Sequence, residues 1–266
     1  ILFFFLNNNI RRVRKVNFDY FSDKYRLFNK KYTLILFGKD KFISRETYLR
    51  GPSDYHLFLR AKKILNRKIK SLIDVGANIG TFCIPAVKDG HIHKCIAIEP
   101  VTKINNILNI NITLNHLNDR IKTYSYVISD NTKLNVALSL NKKNYGDNKF
   151  KISNKKKGYK LKKLNSFLQS FPSKDLLIKI DVQGFEDRVL NGSRKIISKK
   201  IPLLIEFDYK FFKSSLYFKL IKLIRNNYNF FSVLDYQNFK KENILHIEKI
   251  FKDLTKKKSH INCLIF

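Results

Sequence analysis

From Ser71 onward, short apolar runs alternate with segments of helical length. Runs at 72–75 (LIDV), 95–99 (CIAIE), 123–129 (TYSYVIS), 176–181 (LLIKID), 203–208 (LLIEFD), 230–235 (FFSVLD) and 261–266 (INCLIF) read as strands. Helices are expected between them, at about 80–88, 102–116, 165–170, 186–198 and 214–227. A continuous run such as LLIKI leaves no polar face for water, so these strands need cover on both sides. The pattern predicts an α/β fold, a doubly wound sheet of seven mostly parallel strands with helices on both faces.

Residues 1–70 are expected to form an N-terminal extension or cap, and 71–266 the main domain. The extension is β-rich over KYTLILFGKDKFISRETYLRG. It is helical over 54–65, where Leu57, Phe58, Ala61, Ile64 and Leu65 recur at helical spacing. Asn141 to Lys163 is polar and Lys-rich. It reads as a long loop or hairpin excursion beside the carboxyl edge of the sheet, either solvated or a lid over an acidic substrate.

The formal net charge is +32, which attracts nucleic acid or an anionic membrane at low salt. The excess is mostly Lys alongside abundant Asn, Ile and Phe, and it reads as compositional background. A surface built to read phosphate would use Arg clusters, since Arg binds phosphate through two parallel hydrogen bonds. No specific nucleic-acid partner is therefore expected.

Cys83, Cys95 and Cys263 are scattered, which predicts reduced thiols in a cytoplasmic setting and no zinc site. His91 and His93 lack matching ligands, and no metal site is assigned. No apolar run reaches the length of a membrane span, although peripheral membrane contact stays open. No Met stands at position 1, so the opening ILFFFL is not read as a targeting segment.

The stretch Leu72 to Gly80, LIDVGANIG, places an acid and two glycines at the end of a buried strand. Gly76 lets the chain turn and a ligand approach the backbone, and Gly80 lets the next helix start close to the strand. The N–H groups of that helix start suit an anion. A dinucleotide fingerprint would carry its second glycine where Asn78 stands, which counts against a pyrophosphate. Asp74 would repel phosphate but hold an ammonium. Glu99 ends the next strand, where an acid receives ribose hydroxyls. An amino-acid end and a ribose together describe S-adenosyl-L-methionine as cofactor, with Asp130 after the third strand reaching toward the adenine.

At this point LIDVGANIG, AIEP, NILNINITLN, VISD and above all LLIKIDVQGFEDRVLNGS resemble the FkbM-type S-adenosylmethionine-dependent methyltransferases. The resemblance runs from Ser71 to Asp208, and more loosely through Tyr48 to Leu65. It implies a class I, Rossmann-like methyltransferase fold and methyl transfer to oxygen on sugars, glycan precursors, polyketides or other secondary metabolites. Two positions depart from the family. Gln183 stands where Glu is frequent, and Lys163-Leu164-Asn165 replaces Thr-Leu-Asp; Asn caps a helix as well as Asp does.

At the reacting edge Asp181 closes LLIKID, and Glu186 follows at a helix start that stabilises its anion. Asp181 is the first candidate for the base that removes a hydroxyl proton, with Glu186 as its orienting partner. The alternative is that Glu186 caps the helix and Asp181 only positions a ligand. Glu206 and Asp208 are reserve candidates, and a divalent ion held by these acids is a further option. Two competing classes remain. A nucleic-acid methyltransferase would show Asn or Asp followed by Pro-Pro and an aromatic, but the chain reads Asp181-Val182-Gln183-Gly184. A binding module without turnover would tolerate loss of Asp74, Gly76 or Glu99, and all are present.

Overall fold

The computed structural model describes residues 24–141, 144–154, 158–208, 214–235, 239–249, 251 and 260–266. The ILFFFL stretch lies outside them.

The strands are β1 Tyr25–Asn29, β2 Thr33–Phe37, β3 Ser71–Val75, β4 Lys94–Ile98, β5 Ile121–Tyr124, β6 Val127–Ile128, β7 Val136–Ser139, β8 Lys149–Ile152, β9 Leu161–Lys162, β10 Leu176–Ile180, β11 Leu203–Asp208, β12 Phe230–Val233, β13 Glu242–Asn243 and β14 His260–Ile265. The helices are α1 Ile43–Arg50, α2 Tyr55–Leu65, α3 Cys83–Lys88, α4 Thr102–Leu114, α5 Glu186–Asn191, α6 Arg194–Ser198 and α7 Tyr217–Asn227.

The main sheet has eight strands in the order β13-β12-β14-β11-β10-β3-β4-β5. All seven expected strands contribute, and the eighth is the two-residue edge strand β13. Pairing is parallel from β11 through β10, β3 and β4 to β5. β14 is antiparallel to both β11 and β12, so β12 runs with the parallel set. β3 and β10 have no exposed residue, as a strand covered on both faces requires.

Alternate residues of these strands feed two cores. Leu72 and Leu177 face the layer that holds the β1–β2 hairpin, α2, α3 and α4. Ile73 and Ile178 face the layer of α5, α6 and α7. The hairpin is fastened by two asparagines, Asn111 of α4 and Asn115 directly after it. Asn111 bonds the N–H and C=O of Ile35, and Asn115 those of Thr33, so each amide stands in for a strand neighbour. Tyr32 and Tyr55 both donate to Asp89 beyond α3, at 2.9 and 2.8 Å.

Three expected elements differ in detail. Residues 43–50, in the stretch read as β-rich, form α1. TYSYVIS is two strands: β5 stays in the main sheet, while β6 pairs in parallel with β9. The helix expected over 186–198 breaks into α5 and α6 at Gly192-Ser193. The Lys-rich excursion contains β8, which closes a hairpin with β7. Residues 142–143 and 155–157 of that excursion lie outside the described ones.

Candidate active site

Because β3, β4, β5, β10, β11 and β12 share a direction, their carboxyl ends meet at one edge. A cleft of about 620 Å³ opens there, where the strand order reverses between β3 and β10. Such switch points are where open α/β sheets bind ligands, and the volume suits a cofactor-sized molecule.

At the β3–β4 end the turn after β3 is set by steric need. Gly76 has φ +81°, and a Cβ there would lie 1.8 Å from the carbonyl oxygen of Asp181. Gly80 has φ +92°, and its Cβ would press on Ile84 and Leu108 at 2.5 and 2.9 Å. Gly76 and Asn78 line the cleft, whereas Gly80 serves helix packing. Asn78, at φ 50°, donates its N–H to Glu99 Oε2 at 3.0 Å. Glu99 Oε1 accepts the N–H of Val101 at 2.9 Å. Burial pushes the Glu99 carboxyl up to about 7 against the pull of these two donors. Glu99 thus ties the glycine turn to the start of α4 while facing the cleft. Tyr126, Val127, Ile128 and Phe185 supply apolar wall nearby.

At the other end the groups are side chains bonded to side chains. Lys179 is 5% exposed, one residue before the carboxyl end of β10, with its ammonium 3.5 Å from Asp74, 3.3 Å from Asp181 and 3.4 Å from the Gly76 carbonyl. Burial alone would lower its proton affinity, but the carboxylates of Asp181, Asp74, Asp54 and Glu206 outweigh this and raise it. Asp181 lines the cleft. Burial opposes its charge, yet Lys179 and hydrogen bonds hold its pKa below the usual range. Gln183, in a left-handed conformation at φ 52°, donates through Nε2 to both Asp181 and Glu206. Burial and the neighbouring Asp181 push Glu206 well above the usual range. Of the two, Asp181, beside Lys179, favours its charged form and Glu206 its protonated form. His260 Nε2 lies 3.7 Å from the far oxygen of Glu206.

Besides Gly80, three expected site residues lie elsewhere. Asp74 is fully buried behind the cleft wall, and the ammonium beside it is that of Lys179. Glu186 is fully buried too; its carboxylate accepts the Gly184 N–H at 2.9 Å, and Glu206 takes the place expected for it beside Asp181. Asp130 turns to α5, where it accepts from Asn191 and pairs with Arg188 at 3.5 Å. The Asp208 side chain lies outside the described ones. Among the described residues, no group of three or more His, Cys, Asp or Glu is placed to hold a metal ion.

Sequence reasoning missed Lys179, although a lysine inside a fully buried strand is a usable signal. It also missed His260 and Asn262, which line the cleft because β14 runs backwards and brings its amino end to the carboxyl edge. Asp54 and Tyr145 reach the cleft from the extension and the Lys-rich excursion.

A doubly wound sheet ordered in this way, with a glycine turn after its central strand, is a methyltransferase-type α/β fold. The family model of the methyltransferase FkbM domain matches residues 74–257, most of the chain, and the protein belongs to that family. No curated protein matches it.

Solved structures similar to it include the FkbM methyltransferase of Methylobacillus flagellatus (16% identity, TM-score 0.45). That alignment covers 85% of this chain and 55% of the other, so the chain spans little more than half of that relative. Others are the M. jannaschii TYW2 in complex with AdoMet (12%, TM-score 0.43, 92% and 86% covered) and the Geobacter metallireducens precorrin-6y C5,15-methyltransferase (8%, TM-score 0.41, 82% and 88% covered). Among the described residues, no helix is long and apolar enough to cross a membrane.

Proposed function

We propose that the protein is an S-adenosylmethionine-dependent O-methyltransferase acting on a hydroxyl of a saccharide, glycan precursor or secondary metabolite. The observation that carries this reading is the meeting of the Gly76 turn with the end of β10: the turn packs directly on the Asp181 carbonyl, while the Asp181 side chain faces the same cleft. A ligand on the turn is thus brought against a carboxylate that stays ionised.

The cleft fits the cofactor in three respects. Glu99 can receive ribose hydroxyls, the apolar wall at Tyr126 to Ile128 suits a base, and the carboxylates around Lys179 favour a cationic ligand. When bound, the cofactor supplies an electrophilic methyl group. Asp181, the member of the pair that favours its charged form, orients the acceptor hydroxyl and is the carboxylate open to its proton as the oxygen–carbon bond forms and the sulfur–carbon bond of the cofactor breaks; Glu206 favours its protonated form and steadies that carboxylate. Lys179 fixes the charge on Asp181, and Gln183 fixes the spacing of the two acids.

The test is methyl transfer from labelled S-adenosylmethionine to candidate saccharides, with the product mapped by NMR. Asp181→Asn should lower turnover by about 10² or more while cofactor affinity stays nearly unchanged. Methyl label on nitrogen would refute O-methylation. The charge is read as background, so duplex DNA or RNA should bind weakly and lose affinity steeply with salt. A sequence-dependent nanomolar complex at physiological salt would favour a nucleic-acid substrate instead.

A further inference from the structure

The carboxylates at the heart of the cleft outnumber its cations. Asp54, Asp74, Asp181 and Glu206 all act on Lys179, the one lysine among them. Lys179 lies 3.5 Å from Asp74 and 3.3 Å from Asp181, while burial disfavours the charged forms of Asp54, Asp74 and Glu206. Lys149, also on the cleft wall, pairs with Asp147 at 2.8 Å. A further positive charge would complete this group. Asp74, the acid expected to receive it, is sealed from the cleft and already faces the Lys179 ammonium.

Asp54 is differently placed. It occupies the position before α2, where Asp is among the best capping residues, yet its side chain makes no capping hydrogen bond. Its Oδ2 instead accepts the hydroxyl of Thr81 at 3.3 Å, and Thr81 is a buried residue directly after Gly80. Its Oδ1 has no hydrogen-bond partner among the described residues. The carboxylate lines the same cleft as Gly76 and Asn78, although it belongs to the N-terminal segment, outside the stretch matched by the family model. Burial raises its proton affinity, partly offset by Lys179, so its charged form gains from a cationic partner.

We propose that Asp54 receives the ammonium group of S-adenosylmethionine, so that the N-terminal segment supplies part of the cofactor site. This rests on the cofactor reading given above. The contact is a charge-assisted hydrogen bond from the ligand ammonium to Oδ1, with Thr81 holding Oδ2 in place. Lys179 keeps the neighbouring acids occupied, and Asp54 is left as the receiver on the cleft surface.

Titration calorimetry with two ligands tests the idea. S-adenosylhomocysteine carries the amino-acid end, and 5′-methylthioadenosine keeps the adenosine and sulfur without it. Asp54→Asn should weaken S-adenosylhomocysteine by about tenfold to a hundredfold and leave 5′-methylthioadenosine within about twofold, which also shows that the variant is folded. Asp54→Glu should recover part of the loss. Equal weakening of both ligands, or no weakening of either, overturns the assignment.

If Asp54→Asn does not fold, the wild-type protein still decides the matter. Removing only the amino group of S-adenosylhomocysteine should cost it a similar factor, and a change within about twofold overturns the proposal. A wild-type protein that binds neither ligand refutes the cofactor reading, and this assignment falls with it. Binding of both ligands without discrimination at Asp54 refutes the assignment alone.

Discussion

At the β3–β4 end of the cleft the ligand-facing surface is shaped by backbone: the Gly76 turn, and a Glu99 carboxylate held by two main-chain N–H groups. At the β10–β11–β14 end it is shaped by side chains that hold one another, Lys179 on Asp181, Gln183 between Asp181 and Glu206, and His260 near Glu206. The first end depends on where a Cβ cannot go. The second depends on where charge can stay. A backbone site tolerates little change in shape but does not rely on a partner side chain, whereas an ionic site fails when any one partner is removed.

The largest expected effect is therefore at the ionic end. Lys179→Met keeps the length of the side chain and strands the buried Asp74 and Asp181 charges. Breaking such a pair costs about 3–5 kcal/mol, read as a fall in the urea midpoint with an unchanged slope. Near-wild-type stability would show that the two acids take up protons at no cost, and the contrast between the ends would collapse.

Next comes Gly76→Ala at the backbone end. The positive φ and the clash with the Asp181 carbonyl should together cost about 2–4 kcal/mol and abolish cofactor binding. An alanine variant that melts and binds normally would mean that the turn can relax away from β10.

The smallest effect sharpens the comparison through pH. In the proposed cofactor site it is the ionised form of Glu99 that would accept ribose hydroxyls, and burial pushes its carboxyl up to about 7. Affinity for S-adenosylhomocysteine should therefore rise a few-fold between about pH 6 and about pH 8, and Glu99→Gln should lose that dependence. Stability moves the other way. The folded carboxyl lies above its ordinary 4.5, so its contribution is full below that value and is lost as pH rises through about 7. A flat affinity profile in the wild type would remove Glu99 from the ribose. Glu99→Ala, which deletes both latches, should weaken the same ligand by roughly tenfold or more.

The same contrast explains what could be read in the sequence. That Gly76, Asn78 and Glu99 share one cleft was legible because a turn that forbids a Cβ, and an acid at the end of the adjacent strand, leave their mark at fixed spacing. The central strands β3 and β10 were legible because strands buried on both faces are mostly apolar. Lys179 was overlooked because it sits inside such a run, where a single polar letter looks like an interruption. His260 could not be found by looking at strand carboxyl ends, since β14 brings the opposite end to the cleft. Asp54 and Tyr145 enter from segments far away in sequence, and only the packing of the extension and of the Lys-rich excursion brings them there. Asp130 and Glu186 show the converse: acids at the expected strand and helix ends, drawn into local hydrogen bonds instead.

The antiparallel strand also governs the order in which the sheet can be assembled. β5, β4, β3, β10 and β11 pair with one another directly and can join as soon as β11 has been made. β12 has no partner among them. It waits, joined only to the two-residue β13, until β14 arrives to lie between it and β11. During synthesis the row from Lys179 to Glu206 is thus in place first, and His260 completes the rim of the cleft last. A nascent chain released before that strand has the Gly76 turn in place but an open, unpaired β11 edge, a surface prone to mispairing.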